Sequence, residues 1–179
     1  MKKYGFTLAE VLIALGIIGV VSALTISTLV KNYNKKVIDN GLKVGYSTYT
    51  NGVKLSEVEN GPSKDWDVTL NGNDFWNRYY ANYFKGAKLC SNLVKCGYKN
   101  VDTSVWTGLQ LSAATSNDRI LFMLPNNIVI FYIYRKNTQV RHFFIDANGL
   151  HGPNKKNKDV FEFTIDANNQ LRSTILLDK

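Results

Sequence analysis

Few residues in this 179-residue chain are placed to do chemistry. Glu10 is the one ionisable side chain between Phe6 and Val30, inside an otherwise apolar run. An acid there is costly in lipid and needs a cationic partner. A cut between Gly5 and Phe6 creates one, because the new amine of one subunit can neutralise Glu10 of another. The two histidines, His142 and His151, fall in a strand pattern and a loop without a nucleophile motif, and no phosphate-cradling glycine loop occurs, so no enzyme is expected. Cys90 and Cys96 have neither a second cysteine pair nor a nearby histidine to complete a zinc site.

Lys2-Lys3-Tyr4-Gly5, then Phe6-Thr7-Leu8-Ala9-Glu10, then a hydrophobic stretch resembles the prepilin-type processing signal of type IV pilins and type II secretion pseudopilins. The resemblance implies a structural subunit: prepilin peptidase cuts after Gly5 and methylates the new N-terminal Phe6. It assigns Glu10 to assembly, where it neutralises a neighbouring subunit's N-terminal amine. It further implies a single pass through the bacterial inner (cytoplasmic) membrane with the N-terminus inside. An extracytoplasmic filament then forms from other pilin or pseudopilin subunits on a membrane assembly platform. Many family members carry a proline where this chain has Ser27, which leaves the bend of this helix open. The alternative is an ordinary secretory signal cut after Val21-Ser22-Ala23, releasing a conventionally secreted binding protein. That reading gives Glu10 and Gly5-Phe6-Thr7-Leu8 no role.

The elements that must position these residues follow from periodicity. Residues 6–30 as a helix span roughly 37 Å at about 1.5 Å per residue, enough to cross about 30 Å of hydrocarbon. Lys31, Lys35 and Lys36 match the lysines before the segment, so charge does not set its orientation. The apolar spacing continues through Tyr33, Val37, Ile38, Leu42, Tyr46, Tyr49 and Val53, which predicts one helix from about Phe6 to about Leu55, stopped by Gly61-Pro62. The chain then divides into a leader at 1–5, a transmembrane and assembly helix at 6–30, and a head at 31–179 that includes the helix's second half. A second helix is expected at 74–85, capped by Asn73 or Asp74. Strand patterns fall at 120–124, 128–134, 139–146, 160–165 and 171–177, with short turns that favour antiparallel pairing. Phe161, Phe163 and Ile165 alternate with Glu162 and Thr164, which leaves one sheet face for solvent. The fold class is α+β and pilin-like: a long N-terminal helix, half membrane-spanning and half amphipathic, packed on an antiparallel sheet.

Three constellations in the head remain. With the head outside the cytoplasm, Cys90 and Cys96 are expected to form a disulfide that pins a short loop. Residues 146–154, followed by Asp159 and Phe161, resemble a loop found in many prepilin-like heads, and several major pseudopilins hold calcium near the C-terminus. Asp146, Asn148, Asn154 and Asp159 offer hard oxygens for calcium, but Lys155, Lys156 and Lys158 oppose a divalent cation. The preferred reading is that the acids and amides cap turns while Gly149 and Gly152 take positive φ, with no cofactor bound. The chain carries 22 Lys+Arg against 14 Asp+Glu, a formal +8, which falls to +6 when Lys2 and Lys3 leave with the leader. Arg135, Lys136 and Arg141 are the candidate contacts for a polyanion, and they define the other alternative, a DNA-binding minor pilin of a competence-type uptake pilus. A solvated basic face is the commoner reading. A hydrophobic content of 45% excludes a disordered or collagen-like chain.

Overall fold

The computed structural model describes residues 5–98, 119–134 and 141–166, and the backbone of 171–173. The chain divides into two compact units, residues 1–37 and 38–179.

Helix α1 (Leu8–Asn60) makes up nearly all of the described first unit and opens the second. Its first turns are long and apolar enough to cross a membrane, and the leucines, isoleucines and valines from Leu8 to Val30 are exposed all round. Thr25 satisfies its hydroxyl on the Val21 carbonyl at 2.9 Å, one turn back, so a polar residue sits in the apolar run without an orphan donor. The helix runs five residues past the expected end and stops where Gly61 takes φ 74° before Pro62.

In the second unit, α1 buries Leu42, Gly45, Tyr49, Gly52 and Ser56, with Ile38, Tyr46 and Val53 half-buried alongside. The predicted stripe therefore holds from Ile38 onward, whereas Tyr33 and Val37 are exposed. A 3-10 turn (Ser63–Asp65) leads to α2 (Gly72–Tyr79), capped by Asn71, whose side-chain oxygen accepts from the amides of Asn73 and Asp74 at 3.0 Å each. Residues 80–85, expected to be helical, form turns instead.

Among the described residues six strands follow: β1 (Lys88–Leu89), β2 (Arg119–Met123), β3 (Val129–Ile133), β4 (Arg141–Asp146), β5 (Val160–Ile165) and β6 (Leu171–Ser173). They pair antiparallel in chain order, as the short connections from β2 to β3 and from β3 to β4 favour for those strands. A short helix, α3 (Leu93–Cys96), lies between β1 and β2. The molecule is thus α+β, with a long N-terminal helix followed by an antiparallel sheet. Neither β1 nor α3 stands out in the sequence, because two and four residues are too few to show a period.

The inner sheet face carries Ile120, Phe122, Ile130, Tyr132, Phe143, Ile145, Phe161 and Phe163, in one core with α1 and α2. Tyr49 stacks on Phe143 at 4.1 Å between centroids, and Phe143 on its cross-strand neighbour Phe163 at 4.9 Å. The other face is not left to solvent as expected. Leu121, Val129, Phe131, Ile133, Phe144 and Val160 are buried there in a second cluster with Cys90, Leu93, Cys96 and Tyr98. The reason is visible in β2 and β3, which are near-continuous apolar runs and must bury both faces; only β5 shows clear alternation.

Candidate functional site

Gly5 and Phe6 precede α1 in non-helical backbone, and Phe6 is 91% exposed. Among the described residues, no atom lies within 4 Å of the position a side chain at Gly5 would take. Thr7 and Glu10 close the helix start reciprocally: the Thr7 amide donates to Glu10 Oε2 at 2.8 Å and its hydroxyl to the same oxygen at 3.0 Å. The Glu10 amide returns a bond to Thr7 Oγ1 at 3.3 Å. This is a capping box, legible as Thr-x-x-Glu, and it keeps the glutamate hydrogen-bonded at the positive end of the helix dipole.

In the head, Cys90 and Cys96 are joined by a disulfide around α3. Asn92 caps α3 through a bond from the Lys95 amide at 2.8 Å, and Gly97 ends it with φ 110°. The Cys90 amide donates to the Leu121 carbonyl at 2.8 Å, which ties the turn to β2. Tyr98 comes next, buried, and its hydroxyl donates to Asp146 Oδ2 at 2.6 Å.

Asp146 ends β4 and is 1% exposed. Burial pushes its carboxyl up to about 7, Asp159 adds to that, and the Tyr98 hydroxyl works the other way. Asp159, fully buried, accepts from the Asn154 amide at 2.7 Å and the Lys155 amide at 2.6 Å, so both its oxygens hold the loop backbone. It anchors the turn. Gly149 takes φ 59° as expected, but among the other positive-φ positions of this loop are Asn154 and Asn157, not Gly152.

Asp146 and Asn154 come together, while the Asn148 side chain donates to the Gly152 carbonyl at 3.2 Å. One end of the Asn154 side-chain amide lies 3.3 Å from Asp146 Oδ2, 3.1 Å from the Gly149 carbonyl and 3.3 Å from the His151 carbonyl, all acceptors. With nitrogen on that side, the orientation that satisfies both ends, the amide donates to all three. The backbone amides of Asn148 and Gly149 also bond to the Asp146 carboxyl, which leaves Asn148 Oδ1 as the buried oxygen without a hydrogen-bond partner among the described residues. The opposing lysines are less opposed than their spacing suggests: Lys156 Nζ lies on Glu162 Oε2 at 2.6 Å, while Lys155 and Lys158 are exposed. No group of three His, Cys, Asp or Glu capable of holding a metal exists among the described residues, so any cation here depends on amides and carbonyls.

Arg141, a candidate polyanion contact, is only 8% exposed and donates from Nη1 to Ser63 Oγ at 2.7 Å. Its guanidinium also bonds Tyr132, whose phenol burial pushes up to about 12. A buried cation engaged by a serine and a tyrosine offers a polyanion little surface. Arg135 and Lys136 lie outside the described residues. His142 faces Glu162 across the strands at 3.2 Å, and His151 sits exposed in the loop.

Residues 1–26 match the prokaryotic N-terminal methylation motif, the type IV pilin and pseudopilin signal. Residues 28–175 match a family of unknown function (DUF6613). No curated protein and no solved structure matches the chain.

Proposed function

Because the chain belongs to that family of unknown function and opens with the methylation motif of type IV pilins and pseudopilins, we propose that it is a structural filament subunit, cut after Gly5 and N-methylated on Phe6. The motif implies processing by prepilin peptidase and assembly with other pilin subunits, and with the long apolar helix it agrees with membrane anchoring. The subunit waits in the bacterial inner membrane with its N-terminus inside. A membrane assembly platform then draws it into a type IV pilus or a secretion pseudopilus. Apolar residues exposed all round α1 from Leu8 to Val30 carry this reading, since a helix with no internal partner is built to be covered by lipid and then by its neighbours. Glu10, held by Thr7 in the single subunit, pairs with a neighbour's Phe6 amine in the filament.

The test is intact mass and N-terminal sequencing of the membrane-extracted protein, from cells with and without prepilin peptidase. A chain starting at methylated Phe6 only when the peptidase is present supports the proposal. A chain starting near Leu24 would sink it.

A further inference from the structure

Lys88, Met123, Val129, Asp146 and Val160 pair in succession across the sheet, so the turn after β2 and the β4–β5 loop leave from the same end of it. The disulfide turn joins them there, through the Tyr98 hydroxyl on Asp146 at 2.6 Å and through Gly97 against Leu150. α1 meets this end first. Gly41 lies against the Ala147 backbone and Gly45 against Ile128 and Ile145, whereas Ser63, beyond the helix, reaches Arg141 at the opposite end. The chain therefore enters the head at the loop end.

That end is basic. From Leu150 to Lys158 every residue is exposed except half-buried Asn154, and the charges in this stretch are Lys155, Lys156 and Lys158. Lys88 and Lys95 add two exposed cations beside the disulfide turn, with Lys88 Nζ on the Lys95 carbonyl at 3.3 Å. The loop's own acids are turned inward: Asp146 is buried on Tyr98, and Asp159 is buried on the amides of Asn154 and Lys155. Glu162 pairs with Lys156, and Asp39 of α1 is an exposed acid near this end. Two apolar side chains stand in the same surface, Val94 at 67% and Leu150 at 40% exposure. Lysines around exposed aliphatic groups suit an acidic lipid interface, where charge draws the cations to the headgroups and apolar groups settle just below them.

Position along the chain favours lipid over other polyanions. Gly41 follows Val30, the last residue of the apolar run, by about 16 Å of helix at about 1.5 Å per residue. Connectivity alone thus keeps the loop end close to the membrane that holds α1. The tether also makes the contact intramolecular, so a weak attraction is enough to populate it.

We propose that the loop end of the head is a lipid-contacting foot, which sets Lys155, Lys158 and Lys95 among the headgroups of acidic phospholipids in the leaflet from which α1 emerges, with Val94 and Leu150 against the interface. This rests on the membrane anchoring proposed above. The foot holds the head down before assembly, and entry into a filament lifts it off.

The experiment compares the full chain in nanodiscs of phosphatidylcholine alone and in nanodiscs of phosphatidylcholine mixed with phosphatidylglycerol. Brief acetylation followed by mass spectrometry reads the accessibility of each lysine. In the acidic discs Lys155, Lys158 and Lys95 are expected to react about fivefold more slowly, in line with the attraction of a lysine to an acidic surface. Lys64, exposed at the opposite end of the head, should react equally in both. Added salt should abolish the difference, because exposed charges are screened. Lys155→Gln/Lys158→Gln removes two surface charges without touching the core, and should return Lys95 in acidic discs toward its phosphatidylcholine rate; near-ultraviolet circular dichroism confirms that the variant is folded. Equal lysine reactivity in the two discs overturns the lipid contact and leaves the filament reading standing. Protection by added duplex DNA, with none from phosphatidylglycerol, assigns the surface to nucleic acid and overturns the contact as well. A chain that alkaline carbonate strips from cell membranes is not anchored, which overturns both readings.

Discussion

Gly41 of α1 lies directly against the backbone of Ala147: a Cβ added there would sit 2.0 Å from the Ala147 carbonyl oxygen. The helix and the start of the β4–β5 loop are therefore in contact backbone to backbone, with no room for a side chain between them. Gly41→Ala should destabilise the head. The substitution gains up to about 1 kcal/mol of helix propensity but must displace a peptide group, and overpacking of this kind costs about 1–3 kcal/mol or more. Gly45→Ala makes a useful contrast. Its Cβ would meet side-chain methyls of Ile145 and Ile128 at 2.8 and 3.0 Å, which can rotate where a carbonyl cannot. Urea midpoints are expected to fall more for Gly41→Ala than for Gly45→Ala.

Arg141 is expected to behave as a core residue. Arg141→Lys loses the planar fork that reaches Ser63 and Tyr132, and should lower stability by about 1–3 kcal/mol, the range for hydrogen bonds to a charged group. Retention of the folded variant on a heparin column, followed across a salt gradient, should match that of the wild type. A clear shift to lower salt at unchanged stability would return Arg141 to the surface role its charge suggests.

That residue also shows where sequence reasoning runs out. An arginine among polar neighbours in sequence reads as surface, and its burial depends on Ser63, 78 positions earlier. Tyr98 and Asp146 are 48 apart, and neither carries a local sign of the other. Gly41, Gly45 and Gly52 read as interruptions in an apolar stripe, whereas the structure uses Gly45 and Gly52 as part of the buried face. What was legible was local: the Gly5 to Glu10 motif, the helical period from Ile38, and the strand at Val160–Ile165. The capping box was legible too, since Thr7 and Glu10 stand at its spacing, but attention to the glutamate's charge hides its neighbour's hydroxyl.

Tyr98→Phe isolates the bond between the two head turns. The ring and its packing remain, and only the hydroxyl on Asp146 goes. Asp146 then loses its short bond from a buried hydroxyl, at a cost of about 1–3 kcal/mol. The denaturant midpoint should drop with the slope unchanged, because the fold is the same and only its stability differs. The double variant with Asp146→Asn should lose less than the sum of the two, since both remove the same contact.

Glu162 gives the head a defined acid sensitivity. Burial alone would raise its carboxyl, but Lys156 Nζ at 2.6 Å and His142 Nδ1 at 3.2 Å more than offset this and hold it below the ordinary 4.5. A carboxyl lowered in the folded state binds its proton less readily than in the unfolded chain, so its contribution is complete above about pH 4.5 and is lost as pH falls through the folded value. Stability should therefore decline on the acid side in the wild type, and more gently in Glu162→Gln, which has no carboxyl to titrate. Thermal midpoints of the two proteins measured from pH 3 to 7 test this: the gap between them should be widest near pH 7 and close toward pH 3. A gap that stays constant across the range would mean that the Lys156 and His142 contacts contribute packing but no charge pairing.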